Sequence, residues 1–258
     1  MGQHFVVDPN TVRRIARLAE VARGSRVVEV GAGLGSLTLA LVETGAEVTA
    51  IELDRRLVPV LREVVERHGV RVVEGDALRL DWAALLGAEP GRWVLVANLP
   101  YNVAAPLVAS LLDDVPAIAR MLVMVQREVG ERLAAGVGHP AYGALSVKVS
   151  YWAEAAVVGQ VPATVFLPQP AVESVLVSLT RRARPAVENH EVGADELFAL
   201  VRAGFAQRRK MLRRSLAGRV EPGDFECASV APEARAEELD VAAWARLAGC
   251  VRRHRSRA

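Results

Sequence analysis

Short apolar runs rich in valine alternate with stretches of helical periodicity through the first 180 residues of this chain. Residues 57–68 and 104–112 have the helical period, and so do residues 11–22, for which Asp8 is a candidate N-cap and Pro9 lies in the first turn. Near-continuous apolar strands that alternate with helices predict a parallel sheet covered on both faces. The predicted strands are residues 27–30, 48–53, 70–73, 93–97, 121–125, 155–161 and 175–180.

The β-rich runs stop after Pro185, and helical patterns take their place. Residues 194–218 and 232–254 predict helices, joined by a turn at residues 221–224. Residues 143–152 fit a strand or a helix by period alone. We therefore expect a large α/β domain over residues 1–184 and a small helical, basic C-terminal domain over residues 185–258.

Composition excludes several classes of protein. With 52% hydrophobic and 24% charged residues, the chain is expected to fold rather than stay disordered. No apolar run reaches the length of a membrane span, and the N-terminal residues do not resemble a secretory signal. We expect a cytoplasmic protein with no membrane partner. Cys227 and Cys250 fit no metal-ligand pattern, so we expect two reduced thiols and no metal site.

The net charge of +2 is distributed unevenly along the chain. Residues 1–180 hold 16 Lys+Arg and 19 Asp+Glu, whereas residues 181–258 hold 16 and 11. A basic segment joined to an acidic domain indicates a polyanionic partner. On one helix, i,i+4 pairs would form a patch for RNA phosphates, although a solvated helix face is the competing interpretation. The candidate RNA-binding residues are Arg208, Arg209, Lys210, Arg213 and Arg214.

A glycine-rich turn follows the first long strand, in the sequence Glu-Val-Gly-Ala-Gly-Leu-Gly at residues 29–35. Gly31 and Gly33 permit a tight turn and a close approach of the backbone to a ligand. By itself this turn is weak support for any one function, because nicotinamide-dependent enzymes have a related one. Its neighbours on the predicted sheet make the assignment more specific.

Polar residues stand at the carboxyl ends of the next predicted strands. Glu52 ends the second strand and can accept two hydrogen bonds from a ribose diol, and Asp76 follows the third strand, where it can accept from the amine of a cofactor adenine. The fourth strand ends in Asn98-Leu99-Pro100-Tyr101. In a parallel sheet these ends form one crevice, where ligands bind. The sequence therefore predicts one nucleotide-type site.

The Asn-Leu-Pro-Tyr sequence fits chemistry on an adenine amine, which is a poor nucleophile because its lone pair is delocalised into the ring. The amide oxygen of Asn98 and the carbonyl of Pro100 can each accept one amine hydrogen, so that the lone pair develops toward a methyl donor. Tyr101 offers a ring face on which an extruded base can stack. A structural proline loop with a buried tyrosine is the competing interpretation.

With these motifs in place, the chain resembles the KsgA-type family of ribosomal RNA small-subunit adenine dimethyltransferases, whose relatives include the antibiotic-resistance methylases of large-subunit RNA. The C-terminal half resembles the small-subunit branch more than the resistance branch. The stretches that carry the resemblance are Gly-Gln-His-Phe at 2–5, residues 29–35, Ile-Glu-Leu-Asp at 51–54, Gly-Asp-Ala at 75–77, Asn-Leu-Pro-Tyr-Asn at 98–102, Ala-Tyr-Gly at 141–143, residues 166–174, and Phe-Ala-Gln-Arg-Arg-Lys at 205–210.

The resemblance implies a Rossmann-like seven-stranded S-adenosylmethionine-dependent methyltransferase sheet, with residues 1–184 as the catalytic domain and a helix at residues 143–152. It implies S-adenosylmethionine as the methyl donor and ribosomal RNA, within a small-subunit assembly particle, as the partner of a monomer. The implied catalytic residues are Asn98, Pro100, Tyr101 and Phe166. The implied cofactor-binding residues are Gln3, His4, Val6, Gly31, Gly33, Glu52, Leu53, Asp76, Ala77 and Asn98.

The chain departs from this family in two places. The family usually has asparagine where this chain has His4, and since histidine can also donate a hydrogen bond, we expect the contact to be altered and activity to be kept. Family members also usually carry a basic stretch before the Gly-Gln pair. Its absence from this sequence predicts either a missing upstream segment or a lower affinity for RNA.

Three other functions compete with small-subunit dimethylation. The first is a resistance-type methylase with the same chemistry on large-subunit RNA. The second is a nicotinamide-dependent oxidoreductase, which would need a partner for hydride transfer such as a Tyr-x-x-x-Lys pair, and Lys148 and Lys210 provide none. The third is a non-catalytic RNA-binding protein of ribosome assembly, against which the intact Glu52 and Asn98 argue.

Overall fold

The computed structural model describes residues 4–100, 102–187 and 192–256. Two predicted site residues, Gln3 and Tyr101, lie outside the described residues. None of the helices in these ranges combines the length and the apolar character that crossing a bilayer requires. The chain divides into two compact units, the first made of Met1–Glu131 with Ala155–Arg181 and the second of Arg132–Glu154 with Arg182–Ala258.

The elements occur in an order that begins with alternating strands and helices and ends with helices. The strands are β1 (Phe5–Val6), β2 (Arg26–Val30), β3 (Glu47–Glu52), β4 (Arg71–Glu74), β5 (Trp93–Asn98), β6 (Ile118–Gln126), β7 (Ala153–Val161), β8 (Phe166–Leu167) and β9 (Ser174–Arg181). The helices are α1 (Pro9–Leu18), α2 (Ser36–Val42), α3 (Val58–Val65), α4 (Trp82–Leu86), α5 (Ala104–Asp114), α6 (Arg127–Ala134), α7 (Ala144–Trp152), α8 (Ala194–Ala206), α9 (Leu212–Ser215), α10 (Pro222–Ala228) and α11 (Val241–Arg255).

A seven-stranded sheet in the order β4-β3-β2-β5-β6-β9-β7 forms the centre of the first unit. The strands from β4 to β6 are parallel, whereas β9 runs antiparallel to β6. The predicted strands are confirmed, and the expectation of a wholly parallel sheet is wrong for β9. The reason is that continuous apolar patterning indicates burial on both faces and carries no information on strand direction. Val27, Val28, Leu95 and Val96 of the two central strands are fully buried.

Local signals define the helices of the first unit well. The Asp8 side chain accepts hydrogen bonds from the N–H groups of Asn10 and Thr11, and Pro9 lies in the first turn of α1, as predicted. The helix ends at Leu18, four residues earlier than the apolar pattern indicated, because Glu20 adopts a left-handed backbone conformation with φ of 50°. The helices predicted at residues 57–68 and 104–112 correspond to α3 and α5.

The second unit is helical and includes a segment that the predicted boundary at residue 184 placed in the larger domain. Residues 132–154 belong to it because α7 contributes Val147 and Tyr151 to the core that surrounds Phe198 and Trp244. The rings of Tyr151 and Phe198 meet edge to face, with centroids 5.3 Å apart. The structure thus makes residues 143–152 helical. The apolar residues of α7 pack against α8 of the second unit. Hydropathy along the chain does not distinguish this packing from packing in the first unit, so it did not indicate a boundary before α7.

The helix predicted over residues 194–218 is interrupted, and this prediction is corrected. Helix α8 ends at Ala206, and α9 begins only at Leu212. Between them Met211 forms a β-bridge with Arg235, and the Leu212 N–H donates to the Ala234 carbonyl at 2.7 Å. These long-range hydrogen bonds keep Met211 and Leu212 from continuing one helix through the segment.

The later boundaries also differ from the predicted ones. Residues 221–224, predicted as a turn, begin α10, where the Glu221 N–H donates to the Asp224 carboxylate at 2.9 Å. The helix predicted over residues 232–254 begins at Val241, with the Asp240 side chain as its cap. Capping carboxylates set both starts, because they satisfy N–H groups that the first turn of a helix leaves unpaired.

Cys227 and Cys250 form a disulfide bond in the second unit, so the expectation of two reduced thiols is corrected. They lie on α10 and α11, which pack together and bring the two Cα atoms to 6.0 Å. This separation is within the range that a disulfide requires. The 23-residue spacing of the pair carried no signal for bonding because it depends on how two helices pack.

Gly204 on α8 provides a test of the second unit's packing. A Cβ at this position would overlap the indole ring of Trp244, which is fully buried. Alanine is favoured over glycine in a helix, yet we expect Gly204→Ala to lower the free energy of unfolding by about 1–3 kcal/mol because of overpacking. Urea unfolding measures the change. The control is Gly223→Ala in α10, where a Cβ meets no atom within 4 Å, and equal effects of the two substitutions would contradict this packing.

Candidate active site

A cavity of about 250 Å³ opens at the carboxyl ends of β2, β3, β4 and β5 in the first unit. The glycine-rich turn, Glu52, Asp76 and Asn98 all contribute to its wall, so the predicted convergence of four motifs is found in the structure. The lining residues are His4, Phe5, Val30, Gly31, Gly33, Ile51, Glu52, Leu53, Asp54, Gly75, Asp76, Ala77, Asn98, Leu99, Pro100, Asn102 and Val103.

The glycine-rich turn lies directly against the end of β5. Gly31 has a φ of +76°, and a Cβ at this position would lie 3.1 Å from the Asn98 carbonyl oxygen. Any larger residue would therefore be strained in its backbone and crowded against β5. The glycine leaves a cradle between the turn and Asn98, and this cradle is open to the cavity. It fits the thin methionine portion of S-adenosylmethionine.

Glu52 joins the glycine-rich turn to the end of β3. One carboxylate oxygen accepts the Gly33 N–H at 2.7 Å, and the other accepts the Asp54 N–H at 2.8 Å. The side chain is buried, yet it borders the cavity. Because a carboxylate has about four lone-pair sites, these two bonds leave acceptor capacity for two ribose hydroxyls. The predicted role of Glu52 is therefore compatible with its structural one.

Asp76 and its neighbours form the far end of the cavity. One Asp76 oxygen accepts the Leu78 N–H at 3.0 Å, which fixes the carboxylate beside Ala77. Leu53 contributes an exposed apolar side chain on the same wall, and Ile51 lines it as well. An apolar slot with one carboxylate at its edge fits a purine ring that has an exocyclic amine.

Asn98 ends β5 at the opposite side of the cavity from Asp76. Its amide nitrogen donates to the His4 carbonyl oxygen at 2.9 Å. The second predicted acceptor for the amine is already occupied, because the Pro100 carbonyl accepts the N–H groups of Val103 at 3.0 Å and Ala104 at 3.1 Å. The Pro100 carbonyl is thus engaged by the backbone that leads into α5, and Pro100 also lines the cavity.

Two predicted site residues lie away from the cavity. Val6 and Phe166 face each other across the antiparallel pair of β1 and β8, and both are buried in the core of the first unit. Val6 borders a smaller space beside the glycine-rich turn. Phe166 is buried with its strand, whereas the next residue, Leu167, is exposed, and the contact of the Phe166 ring with the target base stays a prediction.

The structure also adds residues that the motifs did not indicate. Phe5, Asp54, Asn102 and Val103 line the cavity, and the Phe5 ring packs against Gly33. Phe5, Asp54 and Asn102 belong to the stretches that carry the family resemblance, so position within a motif was the available signal. Val103 follows a strand end that already supplied site residues.

Glu29 is a buried acid beneath the glycine-rich turn, and its side chain is 1% exposed. Burial raises the pKa of its carboxyl from 4.5 to about 8, the nearby Thr38 hydroxyl lowers it, and the charge of Glu52 raises it further. Glu29 Oε2 and Thr38 Oγ1 are two of the three buried side-chain atoms without a completed hydrogen bond among the described residues, and Trp244 Nε1 of the second unit is the third. A carboxyl that stays protonated at neutral pH therefore lies against the turn.

The basic residues predicted to bind RNA are exposed in the second unit, at the junction between α8 and α9. Arg208 pairs with Glu237 at 2.6 Å and donates to the Pro140 carbonyl, and Arg213 pairs with Glu233 at 3.2 Å. The predicted i,i+4 pairs on one continuous helix are not formed, because residues 207–211 lie between the helices.

Over the described ranges, no three histidine, cysteine, aspartate or glutamate side chains group in a way that could hold a metal ion. The chemistry of the cavity wall points in the same direction. Its polar groups are two amides, one imidazole, three carboxylates and backbone groups set among apolar side chains, an arrangement suited to an organic ligand.

The raised pKa of Glu29 predicts how stability depends on pH. Between pH 4.5 and about 8 the folded chain keeps a proton that the unfolded chain has released, so this group's contribution is complete below pH 4.5 and is lost as the pH rises. Glu29→Gln should flatten that loss, by up to about 1.4 kcal/mol per pH unit. Urea unfolding from pH 5 to 8 measures it, with the exposed Glu43→Gln as the control. Parallel curves for wild type and Glu29→Gln would contradict a buried, protonated carboxyl.

Comparison with known proteins gives the family. The family described as ribosomal RNA adenine dimethylase matches residues 1–252. Curated proteins named ribosomal RNA small subunit methyltransferase A are similar to this chain: the one from Thermobifida fusca is 46% identical, and the one from Streptomyces coelicolor A3(2) is 48% identical. Each match covers 96% of this chain and 88% of the relative.

Solved structures agree with the fold. A dimethyladenosine transferase from Plasmodium falciparum has a TM-score of 0.75 at 24% identity and covers 94% of this chain and 95% of its own. The 23S rRNA methyltransferase ErmE has a TM-score of 0.73 at 27% identity and covers 96% and 99%. The predicted fold class, enzyme class and methyl donor, S-adenosylmethionine, are confirmed by these matches, and the chain belongs to the ribosomal RNA adenine dimethylase family.

Proposed function

We propose that this chain transfers methyl groups from S-adenosylmethionine to the N6 amine of adenines in small-subunit (16S) ribosomal RNA, giving N6,N6-dimethyladenine during ribosome maturation. The observation that carries the proposal is the position of the Asn98 amide, in the wall of the same cavity as Glu52 and Asp76. The names of relatives that are 46–48% identical over nearly the whole chain support the small-subunit substrate.

The cavity residues divide between the parts of the methyl donor. Gly31 and Gly33 hold the methionine portion, and Glu52 accepts from the ribose hydroxyls. Asp76 accepts from the adenine amine of the donor, while Leu53 and Ala77 pack against its ring. When bound, S-adenosylmethionine supplies an electrophilic methyl group. Gln3, which lies outside the described residues, is proposed to cover this site together with His4.

Asn98 activates the target amine by orienting it. Its amide oxygen accepts one hydrogen of N6, which turns the nitrogen lone pair toward the methyl group. The amide does not titrate, so its contribution is positioning and electrostatic stabilisation, and the displaced amine proton passes to water. Tyr101, outside the described residues, is proposed to stack on the target base. We do not assign the amine's second hydrogen to Pro100, since α5 already uses that carbonyl.

The exposed cations of the second unit contribute to RNA binding in this proposal. Arg209, Lys210 and Arg214 are the members that we propose contact phosphates directly, because all three are exposed at the α8–α9 junction. Arg208 and Arg213 form ion pairs with Glu237 and Glu233. Their primary role is therefore to hold the junction in shape.

We infer that the protein acts as a monomer on a small-subunit assembly particle in the cytoplasm, where ribosomal RNA is methylated. The cytoplasm keeps most thiols reduced. We therefore expect the second unit to fold with Cys227 and Cys250 in either redox state. The core of the second unit does not depend on the two cysteines alone, because it also contains a buried cluster that includes Phe198, Leu212 and Trp244.

Large-subunit RNA is the second candidate substrate, because the 23S rRNA methyltransferase ErmE matches the whole chain in fold. The deciding experiment is transfer of labelled methyl groups to unmethylated small-subunit particles, with large-subunit RNA in parallel and modified positions mapped by reverse-transcription stops. Label on small-subunit adenines supports the proposal. Label on large-subunit RNA alone overturns it, and label on neither supports a non-catalytic assembly protein.

Removal of the Asn98 amide tests the chemical step. We expect Asn98→Ala to lower kcat about 10²- to 10³-fold, as the loss of one positioned polar group does in other active sites. Single-turnover methyl transfer measures it. Asn10→Ala, which removes an exposed amide on α1, is the control and should keep full activity. Near-normal turnover of Asn98→Ala would contradict the proposed mechanism.

The salt dependence of RNA binding tests the proposed phosphate contacts of the three exposed cations. Replacing Arg209, Lys210 and Arg214 by glutamine should weaken RNA binding and reduce the slope of log K against log salt by about 2–3, because three phosphate contacts are lost. The matched control replaces Arg13, Arg62 and Arg92 of the first unit, which removes the same charge. If both triple variants change the slope equally, the effect is one of net charge and the patch has no specific role.

A further inference from the structure

The chain segment before α1 is fastened to the first unit at several points around the cavity. The His4 ring Nδ1 lies 2.7 Å from the Pro168 carbonyl oxygen, and β1 pairs with β8 in the register Phe5 opposite Leu167. The Val7 N–H donates to the Val165 carbonyl at 2.9 Å. We call residues 4–7 the N-terminal strap. A carbonyl can only accept, so His4 Nδ1 carries the proton that it donates to Pro168.

The strap also contacts the proposed catalytic amide. Asn98 Nδ2 donates to the main-chain carbonyl of His4 at 2.9 Å. This bond determines which way round the amide lies, because the carbonyl must face the amide nitrogen and cannot face its oxygen. The Asn98 oxygen is consequently turned away from the strap. Both Asn98 and His4 line the cavity, so the bond is formed at the site itself.

The orientation of the amide matters for the proposed reaction. If the amide were reversed, its NH2 group would face the N6 amine, and two donors would repel each other. An asparagine without a partner can adopt both orientations, since the two ends of the amide are nearly equal in size. The bond from the strap removes the unproductive orientation before the substrate binds, which is the usual source of catalytic advantage from preorganisation.

We propose that His4 is a positioning residue: its ring anchors the strap to Pro168, and its main-chain carbonyl holds the Asn98 amide with the oxygen toward the target amine. This inference rests on the proposed function, because it assigns a purpose to the Asn98 oxygen. It also accounts for histidine at a position where the resembling family usually has asparagine. Either side chain can donate a hydrogen bond to the Pro168 carbonyl.

Two substitutions separate the donor from the ring. His4→Asn keeps a donor and loses the ring, whereas His4→Phe keeps a ring and loses the donor. We expect kcat to stay within about threefold of wild type for His4→Asn and to fall about tenfold for His4→Phe, since small losses of alignment at a reacting group are costly. The dissociation constant of S-adenosylmethionine, measured by calorimetry, shows how much of any loss comes from cofactor binding, because His4 also lines the cavity.

The orientation of the amide can be measured without turnover. In protein labelled with ¹⁵N-asparagine, the Asn98 side-chain signal is assigned by its loss in Asn98→Ala. The proton bonded to His4 should be shifted downfield and exchange slowly with water, in wild type and in His4→Asn. In His4→Phe that shift and that protection should be lost. Thermal unfolding of each variant confirms that the fold is intact.

Each outcome bears on one proposal. An Asn98 signal that is unchanged in His4→Phe overturns the positioning role, and so does a weaker cofactor affinity at unchanged kcat, which would make His4 a cofactor ligand only. Normal turnover of Asn98→Ala overturns the proposed function instead. In that case the strap could still orient the amide, and the nuclear magnetic resonance measurement would show whether it does.

Discussion

The alignment of four parallel strands is the constraint on which the rest of the structure depends. The registers place Val30 of β2 beside Ile51 of β3 and Ala97 of β5, and Glu52 beside Glu74 of β4. The chain therefore leaves these strands at one edge of the sheet, and each exit contributes a polar group to the same cavity. A shift of one residue in any pair would turn its side chains to the other face and remove them from the site.

Two glutamates near that edge show how environment separates similar side chains. Glu52 accepts hydrogen bonds from two backbone N–H groups, which tie the glycine-rich turn and the residues after β3 to its carboxylate. Glu29 lies one strand away without comparable donors, and burial together with the charge of Glu52 raises its pKa to about 8. A protonated Glu29 avoids the repulsion that a second charge beside Glu52 would cause in a buried position.

The sequence predicted most of the first unit because its signals are local. Apolar runs identified the strands, and Asp8 and Pro9 identified the start of α1. The missed features depend on contacts between distant residues. The direction of β9, the break after Ala206 and the Cys227–Cys250 bond are each set by a partner far away in the sequence. The sequence identified Glu29 only as part of the glycine-rich motif, and the raised pKa of its carboxyl follows from burial that only the structure shows.

The site itself divides along the same line. Positions at strand ends predicted Gly31, Glu52, Asp76 and Asn98 as site residues. The hydrogen-bond partners of the last three side chains came only from the structure. Pro100 is the clearest case, since its carbonyl had the right position in the motif and is engaged by the first turn of α5. In the proposed mechanism, the methyl acceptor then depends more heavily on Asn98 than the motif alone indicated. An amide that alone orients the acceptor needs a fixed orientation. The main-chain carbonyl of His4, 2.9 Å from the amide nitrogen of Asn98, fixes that orientation.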